Sequence, residues 1–385
     1  MHLLPKAFNH YSLDMRISSL QLAQFRSYEA LTVDFSQGDV HILVGPNGAG
    51  KTNIIEAISI LSLTRSCLHT DETDLMQWGT EFYRITGHAQ NDAGEQYALE
   101  VVSQTMPRTQ KACFLNDVRS SVDGMVGVMP TVVFLPQELD LFSGSPSQRR
   151  KFLDRLLCQV SPEYLRALSQ YQKILKQRNV LLKRIAERQA DPSHLDVWDV
   201  KLAEVGAYIT HARLELIGTL QLTLPEEITS LGESWKDIAL VYDRKGTETE
   251  LDAMEEELRT MLKNNRKRDC ILQATTVGPH REDWHLHVDG RSIESFASRG
   301  QQRASLIALL LLQVSYLELR CGEKPVILLD DVFSELDENH QEALLQSLSG
   351  YQVIISTTQV PDQSFEAVIW EVSIGKVAKV AKVKQ

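Results

Sequence analysis

A chain of 385 residues, 43% apolar and 24% charged, is long enough for two or three structural units with substantial cores. Its net charge of −11 excludes a uniformly basic nucleic-acid coat and leaves room only for a local basic face. Cys67, Cys113, Cys158, Cys270 and Cys321 are scattered without a Cys-x-x-Cys spacing, so reduced thiols in a cytoplasm are expected and a zinc site is not. No apolar run approaches the ~18 residues of a membrane helix. The first fourteen residues lack the apolar core of a secretion signal, and residues 1–15 are expected to form an extension outside the fold.

Polar and apolar residues alternate in Leu20-Gln21-Leu22-Ala23-Gln24-Phe25 and in Leu31-Thr32-Val33-Asp34-Phe35, which predicts half-buried antiparallel strands. Between them, Phe25-Arg26-Ser27-Tyr28 predicts a turn. The apolar strand Val40 to Val44 then leads into Gly45-Pro46-Asn47-Gly48-Ala49-Gly50-Lys51-Thr52, and a helical pattern follows from Asn53. Strand, G-x-x-x-x-G-K-[ST] and helix in this order predict a phosphate-binding loop. The glycines let backbone N–H groups curl around phosphate oxygens, and the helix adds its positive end. Lys51 would reach the β- and γ-phosphates and Thr52 would hold Mg²⁺.

Residues 82–135 predict short strands, with turns at Asn91-Asp92-Ala93-Gly94 and Asn116-Asp117. The apolar strand Pro130 to Pro136 is closed by Gln137-Glu138. From Ser143 to Ala190 the chain carries eleven Lys/Arg against three Asp/Glu. Ser161-Pro162-Glu163 predicts a helix start. Leu168, Tyr171, Leu175, Leu182 and Ile185 keep a heptad seam interrupted by Arg178. After Asp191-Pro192, a second seam runs through Leu195, Trp198, Leu202, Val205, Ile209, Ala212 and Leu216. The pair predicts an antiparallel helical hairpin, and the regular seam favours a protruding arm over two helices on a core. Arg149, Arg150, Lys151, Arg155, Lys173, Lys176, Arg178, Lys183 and Arg184 are the candidates for neutralising DNA phosphates without reading bases. Pro225 is expected to end this region, Ile238 to Tyr242 to form a strand, and 248–263 a polar helix. The lysine-rich tail Lys376 to Lys384 is expected to be disordered.

Val326-Ile327-Leu328-Leu329-Asp330-Asp331 predicts a buried strand ending in two carboxylates, the partner a phosphate loop requires. Asp330 would hold Mg²⁺ through its water shell, and Asp331 sits where a base polarises the attacking water. Neighbours on a strand face opposite ways, so both can serve only if the strand has ended. Ser298-Arg299-Gly300-Gln301 precedes an apolar helix from Ala304 to Val314; a serine N-cap explains it equally well on its own.

In this order the motifs resemble those of the ABC-type ATPases. Ser298-Arg299-Gly300-Gln301 is similar to their signature, Gln137 to the Q-loop glutamine that serves metal and catalysis, and Glu335-Leu336-Asp337 to the D-loop. The resemblance implies an α/β fold: a P-loop ATPase head with N-terminal antiparallel strands and an inserted helical-hairpin arm. It also implies that ATP joins two heads, the signature of one completing the phosphate loop of the other. Three positions depart from the pattern: Arg299 replaces a glycine, Asp331 replaces the catalytic glutamate, and Thr357-Thr358-Gln359 stands where a switch histidine is expected.

Leu22-Ala23-Gln24-Phe25-Arg26-Ser27-Tyr28 resembles the opening of the SMC, Rad50 and RecF ATPases, in which Arg26 would approach the nucleotide phosphates. Pro136 to Leu141, Gly144 to Pro146, Arg149-Arg150, Phe152-Leu153-Asp154, Gly278 to Asp283 and Leu329 to Asp337 resemble the RecF family. That resemblance implies a cytoplasmic protein that dimerises on ATP at single-strand/double-strand DNA junctions, works with RecR and RecO, and helps load RecA in gap repair and the SOS response. ATP would act as a dimerisation switch, with slow hydrolysis serving release. The expected organisation is an extension (1–15), a first head half (16–145), an arm (146–269), a second head half (270–375) and a basic tail (376–385). The competing readings are a subunit coupling ATP to membrane transport and an SMC-like nuclease head. No acidic metal cluster outside the ATPase motifs speaks for the latter.

Overall fold

The computed structural model describes residues 13–68, 70–233, 235–334, 336, 338–360 and 366–380. The expected extension up to residue 12, Glu335 and Asp337 of the D-loop, and the last five residues of the tail lie outside them.

The elements follow in chain order. They begin with β1 (Leu13–Asp14), β2 (Arg16–Phe25), β3 (Tyr28–Asp34), β4 (Val40–Val44), α1 (Lys51–Leu63), β5 (Phe82–Gln90), β6 (Gln96–Gln104), β7 (Gln110–Leu115), β8 (Val118–Ser120), α2 (Val122–Met125) and β9 (Thr131–Phe134). Next come α3 (Pro146–Val160), α4 (Pro162–Ala186), α5 (Leu195–Gln221), α6 (Leu224–Ser230), β10 (Ile238–Asp243), α7 (Leu251–Leu272), β11 (Asp283–Val288), β12 (Arg291–Ser292) and α8 (Ile293–Phe296). The last are α9 (Arg299–Cys321), β13 (Glu323–Lys324), β14 (Val326–Asp330), α10 (Glu338–Ser347), β15 (Val353–Thr357), β16 (Val368–Ser373) and β17 (Lys376–Lys379). The described residues pack as two compact units, one within 13–139, 230–233 and 299–380, the other within 140–229 and 235–298. Residues 270–298, expected in the second head half, thus pack with the helical unit.

In the first unit, α1 packs against two sheets. One is antiparallel, ordered β3-β2-β5-β6-β7-β8; the other is ordered β17-β16-β4-β15-β14-β9, with β16, β4, β15, β14 and β9 parallel. A helix between two sheets must be apolar on every side. Eleven residues of α1 are buried, and Ile54, Ile58 and Leu61 share one core with Leu20 of β2 and Leu328 of β14. β14 and β15 are buried at every position, as parallel strands covered on both faces are. The turn expected at Asn116-Asp117 is present, with both residues at positive φ (51° and 62°), the geometry of a tight hairpin.

Three expectations change. The extension does not reach residue 15: Leu13–Asp14 is a strand, β1, paired parallel with β13, and Met15 is buried in the core. Lys376–Lys379 is a strand, β17, paired antiparallel with β16 from Ser373 to Trp370. A backbone ladder needs no apolar side chains, which is why composition misread it. And α9 is long and apolar enough to cross a membrane, the one such helix among the described residues, yet 72% of its most apolar stretch is buried inside the protein. It is a core helix.

In the second unit, α4 and α5 pair through Arg178–Asp199, Tyr171–Gly206 and Tyr164–Arg213, contacts that run in opposite senses and make the hairpin antiparallel. Ser161 caps α4 by accepting from the Tyr164 N–H. The two seams do not close on each other alone: α7 packs on both helices, and Cys270 joins the cluster of Leu181, Leu182 and Leu195. The interruption at Arg178 is the centre of this packing. Its guanidinium is fully buried, donating to Asp199 of α5 at 2.7 Å, to Asp269 of α7 at 2.7 Å and to Thr275 Oγ1 at 2.8 Å. Pro225 falls in the first turn of α6, where its missing N–H costs nothing, and starts a helix.

Candidate nucleotide site

The phosphate loop leaves β4 at Gly45, whose own N–H donates to the Thr357 carbonyl of β15. A Cβ at Gly45 would lie 2.2 Å from the Val372 carbonyl oxygen, so only glycine fits beside β16. Gly50, at φ +107°, caps α1 without a side chain, leaving the first helical N–H groups pointing into the loop. Pro46, Asn47 and Gly48 are exposed at its rim, and Ala49 is buried beneath. Lys51 is 6% exposed, and its Nζ donates to the Gly45 and Pro46 carbonyls at 2.7 and 3.0 Å. Burial lowers its pKa, while Asp331 and Asp330 oppose the shift. A cation folded back on its own loop, bonded to carbonyls rather than to a carboxylate, is poised for anionic oxygens.

β14 delivers Asp330, 4% exposed, to the end of α1. Its Oδ1 accepts from Thr52 Oγ1 at 3.0 Å and from Ser356 Oγ at 2.5 Å. Burial pushes the Asp330 carboxyl up; the Ser356 and Thr52 hydrogen bonds pull it down, Asp331 raises it and Lys51 lowers it. The strand ends there. Asp331 turns to φ +49°, with its N–H held by the carbonyl of Ser356 at 3.1 Å and by Oγ of the same residue at 3.0 Å. Strand alternation therefore does not send the second carboxylate to the opposite face. Its Oδ1 is buried and has no hydrogen-bond partner among the described residues. Ser356 thus positions both acids, a role that sequence reasoning missed. Its only sequence signal is a hydroxyl closing the apolar run Val353-Ile354-Ile355, and its value appears only with the register that sets Ser356 opposite Asp330.

The turn after β2 leans on the loop: Tyr28 Oη donates to the Gly50 carbonyl at 3.2 Å, and Asn53 Nδ2 to Ser27 Oγ at 2.9 Å. Arg26 is engaged elsewhere. It donates to both oxygens of Glu56, a fully buried carboxylate on α1, at 2.8 and 2.9 Å, and to Thr70 Oγ1 and the Asp74 carbonyl at 2.9 Å each. In this arrangement it fastens the segment after α1, and the cation facing the loop is Lys51.

Gln137 is exposed in a 3₁₀ turn, Pro136–Asp140, that follows β9. Ser298 and Gly300 are exposed at the start of α9, and Gln301 donates to Glu233 at 3.0 Å. Of the basic candidates, Lys151, Lys173, Lys176, Lys183 and Arg184 are exposed and Arg155 is half-buried. Arg178, fully buried against Asp199 and Asp269, is one correction, and Arg149 is another. It is 5% exposed, forms a two-pronged pair with Asp283 at 2.8 and 2.6 Å, and donates to the Phe142 and Gly144 carbonyls. A buried charge already neutralised by a carboxylate does not neutralise a phosphate. Arg150, half-buried, donates to the Glu282 carbonyl at 2.7 Å. His280, left without a role by the sequence, bonds Tyr171 Oη at 2.7 Å and the Thr275 carbonyl at 3.1 Å.

A phosphate loop, a buried strand-end acid bonded to the loop threonine and a helix-start signature on a head of two sheets around α1 define an ABC-type ATPase head. The RecF/RecN/SMC N-terminal domain matches residues 16–376. Two proteins described as DNA replication and repair protein RecF are similar. That of Enterococcus faecalis is 36% identical over 352 residues, covering 90% of this chain and 93% of its own. That of Heliobacterium modesticaldum is 35% identical over 374 residues, covering 95% and 99%. The chain belongs to the RecF family. A solved structure of the recombination mediator protein RecF with ATP, in the RecFOR pathway, superposes with a TM-score of 0.88 at 29% identity, covering 97% of this chain and 99% of that one. The Smc head of Pyrococcus furiosus, at a TM-score of 0.52 and 15% identity, shares the fold.

Proposed function

We propose that this chain is an ATP-dependent DNA-binding protein of recombinational repair, in which ATP joins two copies on DNA and hydrolysis releases them. The observation that carries the reading is the meeting of Thr52 Oγ1 and Asp330 Oδ1 at 3.0 Å beside Lys51. It occurs in a chain that superposes along 97% of its length with an ATP-bound RecF.

The loop N–H groups and Lys51 would hold the β- and γ-phosphates. Thr52 and Asp330, with Gln137, would hold Mg²⁺; hydroxyl, carboxylate and amide oxygens are the hard donors it takes. When bound, the ion would offset phosphate charge. Asp331 would accept the proton of the attacking water at Oδ1, the atom without a hydrogen-bond partner among the described residues. Ser298, Gly300 and Gln301 of one copy would meet the γ-phosphate held by the other, so that loss of that phosphate loosens the pair. The DNA face would use Lys151, Arg155, Lys173 and Lys176. Junction DNA as ligand, RecR, RecO and RecA as partners, and the cytoplasm as location belong to the same proposal; the RecFOR pathway named for the similar solved structure supports it.

Light scattering with and without ATP tests the reading. The wild-type mass doubles with ATP and the Lys51→Met mass does not. A wild-type mass indifferent to nucleotide rejects the two-headed clamp.

A further inference from the structure

Four residues of the chain change sides. Residues 230–233, at the end of α6, pack with the nucleotide unit, although the residues before and after them belong to the helical unit. Within these four, Gly232 takes φ +95°, a left-handed turn that glycine enters without strain. The next residue, Glu233, is half-buried, and its Oε2 accepts from Gln301 Nε2 of α9 at 3.0 Å.

Gln301 is the third residue of α9, in the first turn of the helix that begins with the signature. The N–H groups of a first turn have no partner inside the helix and carry partial positive charge, which favours an anion beside them. Glu233 brings one from within the same unit. An ionised carboxylate only accepts hydrogen bonds, so it holds the Gln301 amide with its NH₂ towards Glu233. A glutamine at position 233 would accept the same bond through its own amide oxygen. What the carboxylate adds is a full negative charge, one hydrogen bond from a residue that would meet the γ-phosphate of a second copy. Half-buried, that charge is screened less than a surface charge. Arg299 and Arg303, on the same two turns of α9, act in the opposite sense, and Glu233 subtracts from the attraction they offer.

We infer that Glu233 is a brake on pairing. Its charge, held at the signature by Gln301, opposes the incoming γ-phosphate, so that two copies close less tightly than the signature alone would allow. Like charges set against each other across an interface cost affinity and leave the fold of each partner untouched. The inference rests on the clamp reading above and adds to it the group that keeps the clamp easy to reopen.

Glu233→Gln tests this, because it keeps the length of the side chain and the acceptor oxygen and removes only the charge. The full chain, wild type and variant, is titrated with ATP in Mg²⁺ at low and at high salt, with mass read by light scattering. ATP affinity is measured separately on chains dilute enough to stay monomeric. At low salt the variant dimer should be about tenfold tighter than wild type, and the gap should close at high salt as the charge is screened. ATP affinity of the dilute chains should be equal, since the signature of one copy meets the nucleotide of the other. A variant dimer as strong as wild type overturns the brake and leaves the clamp standing. A weaker variant dimer makes Glu233 a support of the signature and also overturns the brake. Altered ATP affinity in the dilute variant places the effect at the phosphate loop of the same chain, with the same consequence. If neither chain pairs with ATP, the clamp falls and the brake with it.

Discussion

In the helical unit, Arg149, Arg178 and Arg213 are all buried, and each is met by carboxylates of its own chain: Asp283, the Asp199–Asp269 pair, and Asp154. In the nucleotide unit, Lys51 makes no ion pair with Asp330 or Asp331 among the described residues; it leans on backbone carbonyls, and one oxygen of Asp331 has no hydrogen-bond partner among them. Charges that cancel inside the chain hold elements together. Charges brought together without cancelling are set for something that arrives later. Arg178 Nη2, also unpartnered among the described residues, shows that even the structural network is not fully satisfied.

Arg178→Ala tests the first half of this contrast most severely. It strands Asp269 in the core, leaves Asp199 with Arg266 alone, and should cost about 3–5 kcal/mol in chemical denaturation. A loss under about 1 kcal/mol, the scale of a surface pair, would mean that this centre is not what binds α4, α5 and α7. Lys51→Met addresses the other half. Stability should barely change, while ATP affinity falls on the order of a hundredfold, from charge-assisted bonds worth about 3 kcal/mol. A variant that unfolds would make Lys51 structural, like the arginines.

Ser356→Ala should have a smaller effect, slowing hydrolysis about tenfold through loss of one positioning bond, with the Mg²⁺ dependence displaced and Ser356→Thr recovering part of the rate. Unchanged turnover would leave the two acids positioned by strand geometry alone.

His280 sharpens the comparison through pH. Burial, the largest cause, lowers its pKa from 6.5 to about 4, so it is neutral when folded. Its contribution is complete above pH 6.5 and is lost as pH falls toward 4. His280→Gln should narrow the gap between urea midpoints at pH 7 and pH 4.5. His41 of the first unit, also held at about 4 by burial, keeps the remaining sensitivity. An equal gap in the variant would place the acid response elsewhere. The mildest expectation concerns Lys173 and Lys176. Replacing both with alanine should reduce the slope of log K against log salt for DNA by about 2, and Arg149→Ala should not flatten it.

Much of the site was legible before any coordinates. Gly45 to Thr52 carries its own geometry, because glycines, lysine and threonine at fixed spacing act through a local backbone path. The buried run ending at Asp330 was equally plain, since four apolar residues before an acid leave little choice of strand face. The heptad seams placed α4 and α5, and the break at Asp191-Pro192 placed the tip between them. Three things were not legible. Arg149 reads as surface charge until Asp283, more than a hundred residues later, arrives beside it. Lys376–Lys379 reads as a solvated tail until β16 offers it a ladder. Ser356 reads as a strand end until the parallel register sets it opposite Asp330.

The division follows the range of the forces. Steric limits on φ and ψ, helix caps and apolar periodicity act over a few residues, so the order of residues already contained the loop, the strands, the hairpin and the family. Whether a charge is solvated, paired or left waiting depends on neighbours supplied from distant parts of the chain. Only the packed molecule settled which arginines are structural, how Asp331 turns out of its strand, and which acid meets Gln301.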